Sequence, residues 1–586
     1  MMRWGGVSRL AAATLVAGLL VVPSAPASAA PVALGGCGWQ SGLAKQNTPA
    51  SIRSGVLKLS GFDVTKLKLN GDVNWSADPF DDPTWQLWFH SLKWMESLVV
   101  SGNAADLTLA RRIVTDFMTD RPDPGANTGA WDDHATAMRT SLLVCMWEHG
   151  DRGLRNWVTP IIRAHTRVLV NRYAGAYNHG TMQSLALLAS GCALRDSSWK
   201  RTAASRLANE LSRSVDKQGA IDEQAPGYAP FIQRLHREGL AHLVACGMPV
   251  QRGAAERLDA VDTFAAHATR PGGTFLEIGD TWPDRPNAAM GPHSRWLVSG
   301  GKKGTAPDKT VKVYNAGYVF GRDSWTNTGQ QYSLRFGPGR YVHGHNDHLA
   351  MTYWANGRDV LVDSGYSGYS NAGFREWSRS LAAHNVPIVE GARLNPNAST
   401  KLVGSSAGAD TRTWQLRDSA FAGAERHRTV LVDDAMRLML VRDDVTSSRK
   451  HALQILWHLD PSWRKERVDN DRRSSRATFL SKDGAYRATV LQIAAPGKRL
   501  QGKAATLDRG YVSRKRDDKT RNWVVEAHRG AATRQSVITL VMVTQVGVPV
   551  TALWMDGARG VDRIAVTVGT TTRTYETTRR GGMSPS

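Results

Sequence analysis

The sequence predicts a multidomain α + β protein, helical in its N-terminal half and all-β in its C-terminal half. Between about Trp85 and His267, apolar residues recur at spacings of three and four, and strand patterns are scarce. Beyond about residue 310 the pattern changes to short alternating runs broken by turns. With 586 residues the chain is too long for one ordinary core, so two or three domains are expected.

Residues 1–29 read as a signal peptide. Arg3 and Arg9 give a positive start, Leu10 to Val22 an apolar core too short to span a bilayer comfortably, and Ala27-Ser28-Ala29 a small-residue cleavage pattern. The mature chain is expected to begin at Ala30, and the protein to be secreted and extracellular. Leu34-Gly35-Gly36-Cys37 is a loose lipobox, but a Pro/Ser/Ala stretch separates it from the apolar core, so no membrane anchor is expected. The four cysteines, Cys37, Cys145, Cys192 and Cys246, lack metal-finger spacing. In an oxidising compartment, bridges and buried free thiols remain equally open.

The helical domain is assigned to residues 30–299. Its helices are Trp85–Val100, Ala105–Met118, His134–Trp147, Val158–Val170, Thr181–Leu194, Trp199–Val215, Tyr228–Cys246 and Ala254–His267, separated by short Gly/Pro/Asp segments. So many consecutive helices suggest a bundle or an α/α toroid. Residues 300–309, GGKKGTAPDK, read as a linker. The β domain is assigned to 310–576, with strands at Tyr332–Phe336, Met351–Trp354, Val360–Asp363, Thr429–Val432, Met436–Val441, Leu453–Leu459, Ala488–Ile493 and Ser536–Val543. Asn356-Gly357 is the strongest hairpin signal. Stacked sheets are expected, followed by a frayed polar tail at 577–586.

Composition is globular, 41% hydrophobic with 20 Trp, and the formal charge is +22. That sign suits an anionic partner, whether nucleic acid, cell surface or acidic polysaccharide, without choosing among them.

Three constellations can carry chemistry. The densest is Tyr341-Val-His343-Gly-His345-Asn-Asp347-His348-Leu349, three histidines and an aspartate within six residues. A hairpin follows and returns Asp363 towards it, and Arg379-Ser-Leu-Ala-Ala-His384-Asn385 adds another imidazole. Two imidazoles and a carboxylate suit zinc. Counting across the turn sets Asp363 near Ala350, so the His343–His345 loop must bend back to share a metal with it. Asp347 is the competing carboxylate, and histidines capping strand ends without a metal are the bland alternative. The second constellation is Tyr177-Asn178-His179-Gly180-Thr181 at a helix start, where unpaired N–H groups favour an anion. Asn178 can hydrogen-bond a carboxylate, or merely cap the helix. The third is Glu223-Gln-Ala-Pro226-Gly227-Tyr228, which sets Tyr228 in a first helical turn as a proton donor or base, or as ordinary packing. More weakly, Arg139, downstream of Trp131-Asp132-Asp133-His134, suits carboxylate recognition or a structural ion pair.

Together and in this order the motifs resemble the heparinase II/III-like polysaccharide lyases, including the related oligoalginate lyases. The carrying residues are Asn178-His179-Gly180, the Tyr228 segment, His343-Gly-His345-Asn-Asp347-His-Leu349, Asn356-Gly-Arg-Asp-Val-Leu361-Val-Asp363-Ser-Gly365, and Arg379 to Asn385. The resemblance implies an N-terminal incomplete α/α toroid followed by a C-terminal antiparallel β-sandwich, with the cleft between them. It implies a Zn2+ ion in the β domain on His345, Asp363 and His384, mainly structural. It also implies Asn178 as the group that neutralises the substrate carboxylate, Tyr228 and His343 as catalytic, and His179 as catalytic in some members.

The implied reaction is β-elimination on an acidic, uronate-bearing polysaccharide, alginate-like or glycosaminoglycan-like, with no nucleic acid as partner. Hydrogen bonds to the carboxylate stabilise the charge that develops as the C5 proton leaves. His343 or His179 is the base and Tyr228 the acid, or Tyr228 serves as both. A toroidal glycoside hydrolase would instead need a carboxyl pair, such as Asp132 or Asp133 with Glu223. A non-catalytic polysaccharide-binding protein would need only the charge and the tryptophans.

Overall fold

A computed structural model describes residues 36–38, 41–125, 129–368, 372–471, 474–494, 500, 506–555, 561–578 and 581–586. The leader at 1–29 and its cleavage point lie outside the described residues.

The helices form two layers. Asp133–His149 is buried from His134 through Met146, and Asn178–Ala193 is buried over nearly its whole length. Arg152–Asn171 and Ser197–Ser214 bury one face each. Helices buried nearly all round lie inside, and amphipathic ones outside. Chain order therefore alternates inner and outer helices, which is the α/α toroid. The Asp-containing connections are N-caps: Asp132, Asp151 and Asp196 each accept a backbone N–H of the following first turn.

The helix expected over Trp85–Val100 is broken. Leu92 takes φ +54°, which splits Pro83–His90 from Glu96–Val100. Lys93 at the break is buried, paired with Glu96, and donates from Nζ to the Gly36 carbonyl at 2.9 Å. This anchors the N-terminal segment, as does the Cys37–Cys145 disulfide; Cys192 pairs with Cys246. All four cysteines are therefore bridged. Among the described residues no helix is long and apolar enough to cross a membrane.

The β half is antiparallel throughout its named sheets. The first sheet runs Val311–Tyr314, Tyr318–Arg322, Gln331–Arg335, Met351–Ala355, Arg358–Leu361. A ten-stranded sheet is built around Leu438–His458 and Thr520–Gln545, and a four-stranded sheet closes the chain. One core joins the first sheet to the large one through Leu334, Tyr353, Met439 and Val441. A second, through Leu438, Leu440, Ile564 and Tyr575, joins the large sheet's other face to the last sheet. The sandwich thus carries a third layer. Residues at successive positions point to opposite faces, so a central sheet buried on both sides needs apolar runs such as Leu438–Val441 and Leu540–Val543.

Two expectations change. Residues 300–309 do not set the domains apart: helix residues Val261 and Phe264 share a core with Tyr314, Tyr318 and Phe320 of the first sheet. The tail is not frayed, because Met583–Pro585 pairs with Tyr575–Thr577 and Met583 is buried. Its order comes from that pairing and from hydroxyls of the large sheet, Thr413 and Thr429 donating to the Met583 and Gly581 carbonyls, which alternation does not reveal.

Candidate active site

Helix Asn178–Ala193 starts at Asn178, and the preceding Tyr177 makes no side-chain cap. Asn178 is 7% exposed and its Oδ1 has no hydrogen-bond partner. An unpaired buried amide oxygen costs about 1–3 kcal/mol. Asn178 therefore does not spend its side chain on the helix. Gly180 is obligatory here: a Cβ would lie 1.7 Å from the Gly175 carbonyl oxygen, which folds back on the helix start.

His179 Nδ1 lies 2.9 Å from Asp133 Oδ1, and the Tyr177 hydroxyl donates to Asp133 Oδ2 at 3.3 Å. Burial would lower the His179 pKa, but the hydrogen bond and charge of Asp133, with Asp132 and Glu223, raise it above the usual 6.5. Burial likewise opposes the Asp133 charge, yet His179 holds its carboxyl down to about 2. The two form an imidazolium–carboxylate pair. Its stabilisation is full below about 6.5 and fades as pH rises through the higher folded value of His179; on the acid side it is lost as pH falls towards about 2. Asp133→Asn is expected to move the His179 titration midpoint to lower pH, followed through the ring C–H resonances. An unchanged midpoint would detach Asp133 from this role.

The β half brings the loop between Gln331–Arg335 and Met351–Ala355. The His343 N–H donates to the Glu223 carbonyl at 3.2 Å, and His343 Nδ1 lies 2.7 Å from Glu223 Oε2. The Tyr341 N–H donates to Gln224 Oε1 at 2.8 Å, and Gln224 Nε2 donates to the Gly339 carbonyl at 2.9 Å. A Cβ on Gly344 would lie 2.1 Å from Gln224 Oε1. Gln224 and Val342 take φ +57° and +41°. Strained non-glycine backbone on both sides of one contact is typical of functional sites. Tyr228 ends a single 3-10 turn, Pro226–Tyr228, before helix Ala229–Ala245. Its ring stacks on His343 with centroids 4.0 Å apart and planes 15° from parallel. The two motifs lie near enough that Glu223 acts electrostatically on His179, and Tyr341 on Tyr177.

Beneath this lies a buried trio. Ligand atoms of His345, Asp363 and His384 all fall within 4.8 Å of one another, in residues at most 2% exposed. His345 Nε2 is 3.0 Å from Asp280 Oδ1, and His384 Nδ1 is 2.9 Å from Asp363 Oδ1. The remaining nitrogens, His345 Nδ1 and His384 Nε2, are buried without partners. One free lone pair on each of two imidazoles beside a carboxylate is a donor set that fits a metal ion. Asp347, the competing carboxylate, is engaged instead by Arg335 Nε at 3.0 Å. Simple counting across the Asn356-Gly357 turn misses one residue: Trp354 pairs with Asp359 but Tyr353 with Leu361, so a bulge at Val360 shifts the register before Asp363.

Several contributors escape sequence reasoning. Asp280 orients His345 and is itself held by Arg375 at 2.9 Å. Asn385 donates to the Met351 and Val362 carbonyls and accepts from the His458 N–H, fixing the strand that follows His384. Glu223 and Asp133, offered above only as hydrolase acids, each orient an imidazole. Arg139 corrects an expectation. It is 0% exposed, donates to His165 and to the His90 and Ala130 carbonyls, and lies over the Phe117 and Trp131 rings. It braces the inner helices and is closed off from any substrate.

Residues 315–564 match the heparinase II/III-like C-terminal family model. The C-terminal part of this chain is therefore similar to the heparinase II/III-like family. A heparin-sulfate lyase of Bacteroides thetaiotaomicron is 21% identical over 539 residues, covering 81% of this chain and 75% of that one. A heparin-sulfate lyase of Bacteroides stercoris is 22% identical over 170 residues, 28% of this chain and only 25% of that one. The crystal structure of a heparinase III superposes with TM-score 0.75 at 17% identity over 92% of this chain and 91% of that one. That likeness establishes the heparinase-like fold, a helical toroid followed by antiparallel sheets.

Proposed function

We propose that the protein is a secreted polysaccharide lyase that cleaves a uronate-bearing acidic polysaccharide, of glycosaminoglycan type, by β-elimination. The observation that carries this reading is the Tyr228 phenol stacked on His343, whose imidazole is held by Glu223, a carboxylate that also acts electrostatically on His179 next to Asn178. Glu223 occupies Nδ1 of His343 and so leaves Nε2 as the reactive nitrogen. His179, paired with Asp133 and raised in pKa, stays protonated longer than a free histidine and serves the substrate carboxylate as a cation.

The residues then divide the reaction. Asn178 and His179 bind the carboxylate and stabilise the charge that grows on it. His343 takes the C5 proton. The C4–O4 bond breaks, and Tyr228 donates its proton to the departing oxygen. A C4–C5 double bond conjugated with the carboxylate remains. Where proton and leaving group lie on one face, Tyr228 performs both transfers. His345, Asp363 and His384 would hold Zn2+, whose chemistry here is to cross-link the loop that carries His343. The leader sequence and two disulfides support an extracellular setting. The names of the relatives favour glycosaminoglycans over alginate, and the positive charge suits the polymer without invoking nucleic acid.

The test is ultraviolet absorbance of unsaturated uronate after incubation with a panel of uronate polymers, alginate included. New reducing ends without that absorbance would indicate a hydrolase. Asn178→Ala is expected to lower kcat more than it raises KM, because its amide gains most as charge accumulates. A change confined to KM would make Asn178 a plain binding residue.

A further inference from the structure

Beside the His343–Glu223 pair the two halves of the protein enclose an open cleft of ≈ 620 Å³. Its walls include Arg213 and Asp222 from the helical half, and Asn315, Arg340, Tyr341 and Asn397 from the β half. Most arginines along the seam between the halves are spoken for: Arg270, Arg335, Arg375, Arg514 and Arg516 all pair with carboxylates. Among the described residues Arg213 and Arg340 have no such partner. Both residues line a space that begins at the chain neighbours of Glu223 and His343. Tyr341, two residues from His343, is 44% exposed.

The facing carboxyls do not cancel this charge. Asp216 Oδ1 accepts the backbone N–H groups of Gln218 and Ala220 and is tied into its own turn. Asp222 is pushed up to about 7 by burial and by Glu223, against Arg213, so it is substantially protonated near neutrality. Arg213 acts electrostatically on Tyr341 as well, which sets guanidinium and ring on one cleft.

We propose that this cleft is a second sugar subsite whose occupant carries an anionic group, held by Arg213 and Arg340, with its ring against Tyr341. Guanidinium is the donor suited to planar, bidentate capture of a sulfate or carboxylate. An exposed aromatic face with two amides nearby offers a pyranose ring both an apolar surface and hydrogen-bonding groups. The proposal rests on the lyase reading and narrows it: the sugar next to the scissile linkage is itself charged.

Three oligosaccharide probes separate the sources of that charge. One alternates glucuronate with N-acetylglucosamine. The second is its N-sulfated derivative, and the third is a polyuronate. Dissociation constants are measured by calorimetry on the turnover-disabled Tyr228→Phe protein, alone and combined with Arg213→Ala/Arg340→Ala. The arginine pair should matter about tenfold or more for the sulfated probe or for the polyuronate, and little for the N-acetylated one. Whichever of the N-sulfated probe and the polyuronate responds identifies the anion. Equal losses on all three, no loss on any, or no binding of any probe would overturn the subsite. The lyase reading fails separately, if charged probes bind through the arginines but the wild-type enzyme forms no unsaturated product.

Discussion

Tyr228→Phe is expected to lower turnover by about 10²- to 10⁴-fold, the usual worth of a positioned acid–base group, while the protein stays folded. The expectation separates two things Tyr228 does. Its ring stacks on the His343 imidazole at 4.0 Å, and phenylalanine keeps that contact. The hydroxyl alone is lost, and a neutral hydrogen bond at a half-buried position is worth about 0.5–1.5 kcal/mol of stability. Rate and melting temperature should therefore part company. His343→Ala, which leaves the Glu223 carboxylate without its imidazole, should cost a similar factor in rate. The double variant should be little worse than either single one, because the two groups act as a unit. The measurement is single-turnover formation of unsaturated uronate beside a thermal melt. A Tyr228→Phe rate within a few-fold of wild type would remove Tyr228 from the chemistry and leave His343 to act alone.

Much of this site is legible along the chain because its parts are local. Asn178, His179 and Gly180 are adjacent, and the close approach of Gly175 that demands Gly180 lies five residues away. His343 and His345 are two residues apart, and the Asn356-Gly357 turn has the two positive φ values, +53° and +77°, that its composition announces. What stays hidden is long-range. Asp280 reaches His345 across 65 residues and Glu223 reaches His343 across 120. Neither carboxylate differs in sequence from one that merely faces water. Arg139 misleads for the same reason. Arginine in a helix suggests a surface or a ligand, but here cation–π contacts and two backbone carbonyls take up a guanidinium wholly inside the toroid. In the β half, the strands read from the sequence are mostly buried, as at Gln331–Arg335 and Met351–Ala355, although the buried Tyr318–Arg322 escapes the reading. Lys401–Ala407, at an edge of the large sheet and largely exposed, carries no alternation strong enough to read.

The second large effect concerns the metal. Protein purified without added metal is expected to hold one zinc ion, lost in a His345→Ala/His384→Ala double variant. Three facts converge on it. His345 Nδ1 and His384 Nε2 are buried and unpartnered, so each has a lone pair with no other claimant. Asp363 stands among them as the anionic ligand, and Asp280 fixes the tautomer of His345 from outside the trio. Asp347, the alternative carboxylate, pairs one oxygen with Arg335 and is not among the three residues whose ligand atoms lie within 4.8 Å of one another. The role follows from burial. Ligands at most 2% exposed leave no open position for a polymer, and the void beside His345, ≈ 20 Å³, has room for about one water. A metal so enclosed works by tying the loop of His343 to the hairpin of Asp363 and the turn of His384. Its binding free energy is then shared with folding, so a chelator should lower the melting temperature and the activity together. Loss of activity with an unchanged melting temperature would make the ion catalytic instead. Elemental analysis decides the primary claim: substoichiometric zinc that reconstitution does not raise, or full zinc retained by the double variant, would overturn it.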